Sequence, residues 1–364
     1  MNELNLNILN EKPLIIAGPC SAESPEQLDT VAAALKAMGV KVMRAGLWKP
    51  RTRPNSFEGK GAEAMHWMKD IKEKYGLFTA TEVASTAHIE AALQADIDIL
   101  WIGARTTVNP FAVQELANAL KGTGKIVLLK NPINPDLALW MGAIERVRNA
   151  GIEQVGAIHR GFSSFQKSRF RNQPAWKIAI ELKSKMPEVP LICDPSHIGG
   201  SRDMIFEISQ KALDLSYEGL MIETHPDPDN ALSDAEQQIT PDALHKILQR
   251  LRIAEKSSDD ILFINRLEDL REKIDDLDRE LLEILATRLR VIEQIGEYKK
   301  DNNVAVLQLE RWKEISETRP EWAKSMQLSA EYIHELYKII HEESIRIQTE
   351  IMNKENVNKN NAAG

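Results

Sequence analysis

The chain has 364 residues, a formal net charge of −8, 43% hydrophobic and 27% charged residues, and two cysteines. This length exceeds one compact core and points to two domains. The acidic balance, with no basic stripe against it, excludes nucleic acid as the main partner; two cysteines exclude a disulfide framework and fit a reducing cytoplasm.

The opening MNELNLNILNEKP has no cleavable signal pattern, and no apolar run of about 20 residues follows, so a cytoplasmic protein without a membrane span is expected. Eight short apolar runs then recur, at 14–20, 40–46, 77–83, 97–104, 125–131, 153–161, 190–196 and 219–225, each ending in polar residues. Their nearly continuous Val, Ile and Leu content reads as parallel strands covered on both faces. Helical patterns alternate with them, several opening on Pro or Ser and closing at Gly. Eight βα units in about 250 residues predict an α/β protein of the (β/α)8 TIM-barrel class rather than an open sheet.

Cations gather where these runs end: Arg44, Lys49, Arg51, Arg105, Lys130 and Arg160. Cys20, His197 and Glu223 stand on the same series. In such a barrel the C-terminal rim is where active sites lie, so phosphate ligands and metal ligands are expected to share one rim. In a net-acidic chain this local gathering points to anionic substrates. Cys193 reads as packing, since free Cys ranks among the most buried residue types. His159 and His225 adjoin site residues and are left without a role.

The βα alternation stops near LRIAEKSSDD, after the helix that begins at Pro241. The expected division is a barrel over 1–255, a linker over 256–262, an all-helical domain over 263–353 and a disordered tail over 354–364. From Leu262 to about Lys300, Leu267, Ile274 and Leu281 recur every seven residues, as do Leu270, Leu277, Ile284 and Val291. This predicts a long helix with a coiled-coil-like seam that needs a partner. Shorter helices are expected at about 310–318 and 330–352. Arg288 falls one heptad after Leu281, and Lys299 follows 11 residues later on nearly the same face. In the last helix Leu336, Ile340, Ser344 and Gln348 are spaced by four, so two polar groups interrupt the stripe. A cation in a buried register is costly unless paired; these groups either meet acidic residues, fix the register, or surround an anionic ligand.

The motifs GPCS, RAGLWKPRT, IGART, LLKNP, HRGF, DPSHIGG, ETHPDP and ALSD occur in an order that makes residues 13–240 resemble the compact-barrel 3-deoxy-D-arabino-heptulosonate 7-phosphate (DAHP) synthases. Residues 265–352 resemble the all-helical chorismate mutases through Arg271, Arg288, Lys299, Arg311, Ser344 and Gln348. The resemblance implies a bifunctional shikimate-pathway enzyme of aromatic amino acid biosynthesis. The barrel would condense phosphoenolpyruvate (PEP) with erythrose 4-phosphate, and the helices would rearrange chorismate to prephenate. It further implies a divalent ion held by Cys20, His197, Glu223 and Asp234, with Mn2+ preferred and Fe, Co or Zn as alternatives. PEP falls to Arg44, Lys49, Arg105, Lys130 and Arg160, with Lys49 also available for proton transfer; the sugar phosphate falls to Arg51 and Thr52. In the second domain Arg271, supplied by a partner subunit of a homodimer, and Arg288 would take the carboxylates. Lys299 and Gln348 would address the ether oxygen, and Arg311 and Ser344 would complete the pocket. Two positions depart from the mutase pattern. Gln308 replaces a frequent acidic residue, and Trp312 stands where a hydroxyl-binding carboxylate often follows the Arg. A helical domain that mainly senses chorismate or prephenate and regulates the barrel is therefore the alternative, and condensation with arabinose 5-phosphate the alternative for the barrel.

Overall fold

The structure is a computed structural model that describes residues 9, 12–49, 57–165, 168–253 and 261–354. It divides into two compact units, Met1–Lys256 and Ser257–Gly364. In the first, eight strands close a parallel barrel in chain order: β1 Leu14–Gly18, β2 Val42–Arg44, β3 Phe78–Val83, β4 Ile99–Ile102, β5 Ile126–Lys130, β6 Val155–His159, β7 Leu191–Cys193 and β8 Gly219–Glu223. Each lies inside one of the eight expected runs. The ring closes where Leu14 to Gly18 of β1 pair with Gly219 to Glu223 of β8.

Because side chains alternate across a strand, the core has two layers. Ile16, Val42, Ala80, Ile99, Leu128, Ile158, Ile192 and Met221 fill the barrel, while Ala17, Met43, Leu100, Leu129, Ala157, Cys193 and Leu220 face the surrounding helices. The outer helices are α1 Pro25–Ala37, α2 Met65–Tyr75, α3 Thr86–Gln94, α4 Ala104–Thr107, α5 Pro110–Leu120, α6 Leu137–Asn149, α7 Trp176–Lys185, α8 Pro195–Gly199, α9 Ile205–Asp214 and α10 Pro241–Arg250. Several starts are set by local chemistry. Ser24, Asn109, Asp136 and Thr240 each accept a backbone N–H at a helix N-terminus, three of the four beside a Pro or an Asp in the first turn.

The second unit holds α11 Ile261–Asp301, α12 Leu309–Ser325 and α13 Ala330–Asn353. The helix α11 begins inside the stretch expected as linker, and residues 256–260 and 355–364 lie outside the described residues. The helix α12 runs seven residues past the expected end at Thr318, straight through Pro320. An interior Pro costs a helix about 3 kcal/mol. Ile315 and Ala323, buried on either side of Pro320, hold the helix together through their packing. Along α11 the seam residues Leu270, Ile274, Leu277, Leu281, Ile284 and Val291 are all exposed in the single chain. Among the described residues no helix is long and apolar enough to cross a membrane.

Candidate active sites

Strand parity places the barrel site. Counting by twos from the inward residues Val42, Ala80, Leu128, Ile158, Ile192 and Met221 reaches Arg44, Glu82, Lys130, Arg160, Asp194 and Glu223, all at the C-terminal ends of their strands. Trp101, inward on β4, forms the floor beneath them. The Arg44 guanidinium lies 4.8 Å from the Trp101 ring centroid and the Lys130 ammonium 5.9 Å from it, while the indole Nε1 donates to Glu82 Oε2 at 2.9 Å. Arg44 is only 1% exposed. Its Nη2 donates to the Cys20 carbonyl at 3.3 Å and lies 3.2 Å from Glu223 Oε1, yet its Nε and Nη1 are buried without hydrogen-bond partners among the described residues. Buried donors are rarely left so. Nε and Nη1 point to different sides of the planar guanidinium, so each can take a separate oxygen of a bound carboxylate or phosphate.

The chain passes tightly here. Gly18 ends β1 at φ +144°, and any side chain there would collide with the Arg44 carbonyl, so glycine is required where the end of β1 runs against β2. Two residues on, Cys20 Sγ lies 3.3 Å from Asp234 Oδ2 and accepts from Lys49 Nζ at 3.0 Å. His197, on α8, brings Nε2 to 3.8 Å from Glu223 Oε1. Asp234 sits in left-handed backbone at φ 45°, a conformation that costs a non-glycine residue energy and recurs at ligand-holding sites. The four expected metal ligands thus meet as two pairs. Among the described residues no three His, Cys, Asp or Glu side chains converge closely enough to hold an ion as they stand. Their chemistry suits one nonetheless. Burial, reinforced by Glu223, pushes the Cys20 thiol up to about 12, so a thiolate there needs a nearby cation. Burial also works against the Glu223 carboxylate, but the His197 ring, Arg44 and Lys49 outweigh it and hold the group below its usual range. Glu223 Oε1 has no hydrogen-bond partner.

Sequence reasoning missed Asp194. This fully buried carboxylate receives Lys130 Nζ at 2.9 Å, stands 2.8 Å from His197 Nδ1 and caps the His197 backbone N–H at 3.0 Å. Among the described residues Nδ1 makes no hydrogen bond of regular geometry despite this approach. Despite desolvation, His197 and Lys130 keep Asp194 well below the usual range. Asp194→Ala would strand a buried ammonium, and removal of one member of a buried pair costs about 3–5 kcal/mol; urea unfolding of the variant should show a loss of that order. The folded pKa is depressed, so the contribution is present above about pH 4, where a free Asp is ionised, and fades only as pH falls toward the depressed value.

Asn131 and Asn172 were also missed. Asn131, fully buried, accepts the Arg160 N–H at 2.7 Å and donates to the Gly161 and Pro132 carbonyls, each at 2.8 Å. Asn172 Oδ1 receives Arg160 Nη1 at 2.8 Å while its Nδ2 donates to the His197 carbonyl at 2.6 Å. Burial pulls the Arg160 guanidinium down to about 10, still cationic at neutral pH. Arg105 is exposed on α4. Arg51 and Thr52 lie outside the described residues.

The two unassigned histidines prove to be braces. His159 has outward parity: it donates from Nε2 to the Pro174 carbonyl at 2.7 Å and accepts Tyr217 OH at Nδ1 at 2.9 Å, and burial pulls it down to about 4, so it is neutral. His225 accepts the Asp227 N–H and faces Glu23, which itself accepts the Leu232 N–H; together they pin the loop that carries Asp234.

In the helical unit, Arg288 Nη1 donates to Ser344 Oγ at 2.9 Å across α11 and α13, and Gln348 Nε2 donates to the Ser344 carbonyl at 3.1 Å, leaving the buried Gln348 Oε1 without a partner. Gly296 lets the two helices approach, since a side chain there would meet Ile351 and Gln348. Lys299 Nζ donates to the Val306 carbonyl at 2.6 Å, and desolvation lowers its pKa. Two expected residues are not brought in. Arg311 pairs with Glu314 at 2.6 Å, and Arg271, 61% exposed, pairs with Glu268 at 2.5 Å, each on its own helix.

A cation-lined rim above a parallel eight-stranded barrel defines an enzyme of the (β/α)8 class that handles small polyanions. Residues 6–258 match the model of the DAHP synthetase I family, and residues 270–349 match that of chorismate mutase type II. The chain belongs to the DAHP synthetase I family and carries a chorismate mutase type II domain behind the barrel. A phospho-2-dehydro-3-deoxyheptonate aldolase of Thermotoga maritima is 33% identical over 238 residues, 65% of this chain and 68% of the relative. A 2-dehydro-3-deoxyphosphooctonate aldolase of Brucella ovis is 28% identical over 268 residues, 68% of this chain and 92% of the relative. The crystal structure of the Thermotoga maritima DAHP synthase superposes with a TM-score of 0.58 at 31% identity, over 65% of this chain and 66% of that one. A truncated form of the synthase from the same organism gives 0.56 at 29% identity, over 65% and 83%.

Proposed function

We propose that the barrel condenses PEP with erythrose 4-phosphate to give DAHP and phosphate, and that the helical domain converts chorismate to prephenate. The observation that carries the first reading is Arg44, buried on Trp101 with two donors unpartnered among the described residues, over the same ring as Lys130; Arg160 ends the inward row of a neighbouring strand to Lys130. These cations take the carboxylate and phosphate of PEP, with Arg105 at the outer edge and Arg51 and Thr52 taking the sugar phosphate. Lys130 keeps its position through Asp194, and Arg160 through Asn131 and Asn172. Lys49, its Nζ on the Cys20 sulfur, is placed to carry a proton at the rim. Cys20, His197, Glu223 and Asp234 are the residues to hold a divalent ion, Mn2+ in first place. Such an ion supplies Lewis acidity toward the aldehyde oxygen and lowers the pKa of the thiol that binds it. The two buried, unbridged cysteines suit a reducing cytoplasm.

Relatives named for both heptonate and octonate products leave the sugar to experiment. With PEP fixed, erythrose 4-phosphate should be consumed faster than arabinose 5-phosphate; the reverse ranking would reassign the barrel.

For the helical domain, Arg288, Ser344 and Gln348 gather into one cluster with Lys299 on the same helix face. That face suits a dicarboxylate whose rearrangement needs orientation and charge stabilisation but no covalent step. Gln308 and Trp312, and the contact of Lys299 with its own loop, favour a second reading in which this domain chiefly senses chorismate or prephenate and regulates the barrel. The exposed α11 seam supports a homodimer that brings Arg271 to the partner's pocket. Truncation after Glu255 should therefore turn a sedimenting dimer into a monomer and reduce condensation, whereas a full chain that already sediments as a monomer, or a truncated form with the same subunit number and rate, would remove the dimer and its coupling to the barrel.

A further inference from the structure

One polar atom of the helical unit is left over. His341, on α13 one turn before Ser344, lies flat against Trp312 of α12, with ring centroids 4.3 Å apart and planes 18° from parallel. Its Nε2 is shut away from solvent and has no hydrogen-bond partner among the described residues. An unsatisfied buried nitrogen destabilises a fold, and a ligand group that pairs with it recovers the loss. The second unpartnered atom in this unit's pocket, Gln348 Oε1, belongs to the side chain already assigned to the ether oxygen.

The neighbourhood decides what kind of group His341 suits. Burial first, and then the charges of Arg288 and Lys299 against that of Glu342, lower its pKa, so the ring is neutral at neutral pH. A neutral imidazole offers one donor and one acceptor, whereas Arg288 and Lys299 only donate. Carboxylates suit the cations; a hydroxyl, which both gives and takes a proton in hydrogen bonds, suits the imidazole. Chorismate carries two carboxylates, an ether oxygen and one hydroxyl. Trp312 has no acceptor, but it fixes the imidazole plane over its own face, and stacking of this kind positions a ring without fixing its hydrogen-bond partner.

We propose that His341, held flat on Trp312, recognises the substrate hydroxyl and so sets the specificity of the helical pocket. The inference rests on the mutase reading of this domain and deepens it. Its test uses the full chain and two compounds, chorismate and the methyl ether of its hydroxyl. The wild type should favour chorismate by about tenfold in kcat/KM, the size of one hydrogen bond on this scale. His341→Phe keeps a stacking ring and loses both nitrogens, and His341→Ala loses the ring as well. In both, the preference should fall to within about twofold, while circular dichroism reports the same helix content. An undiminished preference in both variants overturns the assignment. If the wild type does not turn over chorismate, the mutase reading fails on its own. Equilibrium binding of the same two compounds then decides the role of His341 by the same loss or persistence of preference, and a wild type that binds neither compound overturns both.

Discussion

Cys20→Ala should lower PEP condensation by about a thousandfold or more while leaving chorismate turnover unchanged. The barrel rim carries a sulfur, an imidazole and two carboxylates as two close pairs. Cys20 with Asp234 and His197 with Glu223 form two pairs on one rim, and a buried thiol pushed up to about 12 ionises at neutral pH only beside a strong positive charge. If a divalent ion is that charge, removing the sulfur removes a ligand and with it several kcal/mol of transition-state stabilisation, each 1.36 kcal/mol being tenfold in rate. The helical unit shares none of these residues, so its activity is the internal control. Metal content of purified wild type and Cys20→Ala, read by atomic emission, separates a lost ligand from a lost fold. A variant that keeps both its metal and its condensation rate would remove Cys20 from the ligand set.

Lys299→Ala should cut chorismate turnover by about two to three orders of magnitude with the helix content unchanged. The magnitude is that of one preorganised donor aimed at developing negative charge. The fold should tolerate the change, because Lys299 Nζ donates to the Val306 carbonyl and, among the described residues, pairs with no carboxylate. A fall in kcat with little change in KM would place the interaction in the transition state. Full turnover in Lys299→Ala would leave the sensing role as the reading of this domain.

The barrel was legible because its signals are local. Eight apolar runs ending in polar residues define strands, and a period of two then carries Arg44, Lys130 and Glu223 to one rim. Asp194, Glu82 and Trp101 obey the same parity but escaped notice, since an acid after β7 or an indole inside β4 reads as ordinary cap or core. What ties them to the candidate site is a strand two places along the ring, Lys130 of β5 against Asp194 after β7 and Arg44 of β2 over Trp101 of β4, and such pairings are set by closure of the ring rather than by sequence spacing. Parity counted from Ile192 would have singled out Asp194. Asn131 and Asn172 act through backbone groups, which leave no pattern in a single sequence. In the helical unit the heptads revealed α11, while α12 outran the expected end because buried Ile315 and Ala323 outweigh Pro320. Arg271 and Arg311 lie on surfaces of one chain, each paired with a Glu three residues away on its own helix rather than packed toward the pocket.

The most direct measurement follows both substrates on one preparation of the full chain, PEP with erythrose 4-phosphate and chorismate separately, before and after treatment with a divalent-metal chelator. Loss of PEP consumption, its return on adding Mn2+, and chorismate turnover that persists throughout are the predicted results. Condensation that continues at its original rate in verified metal-free protein would contradict the account of the barrel.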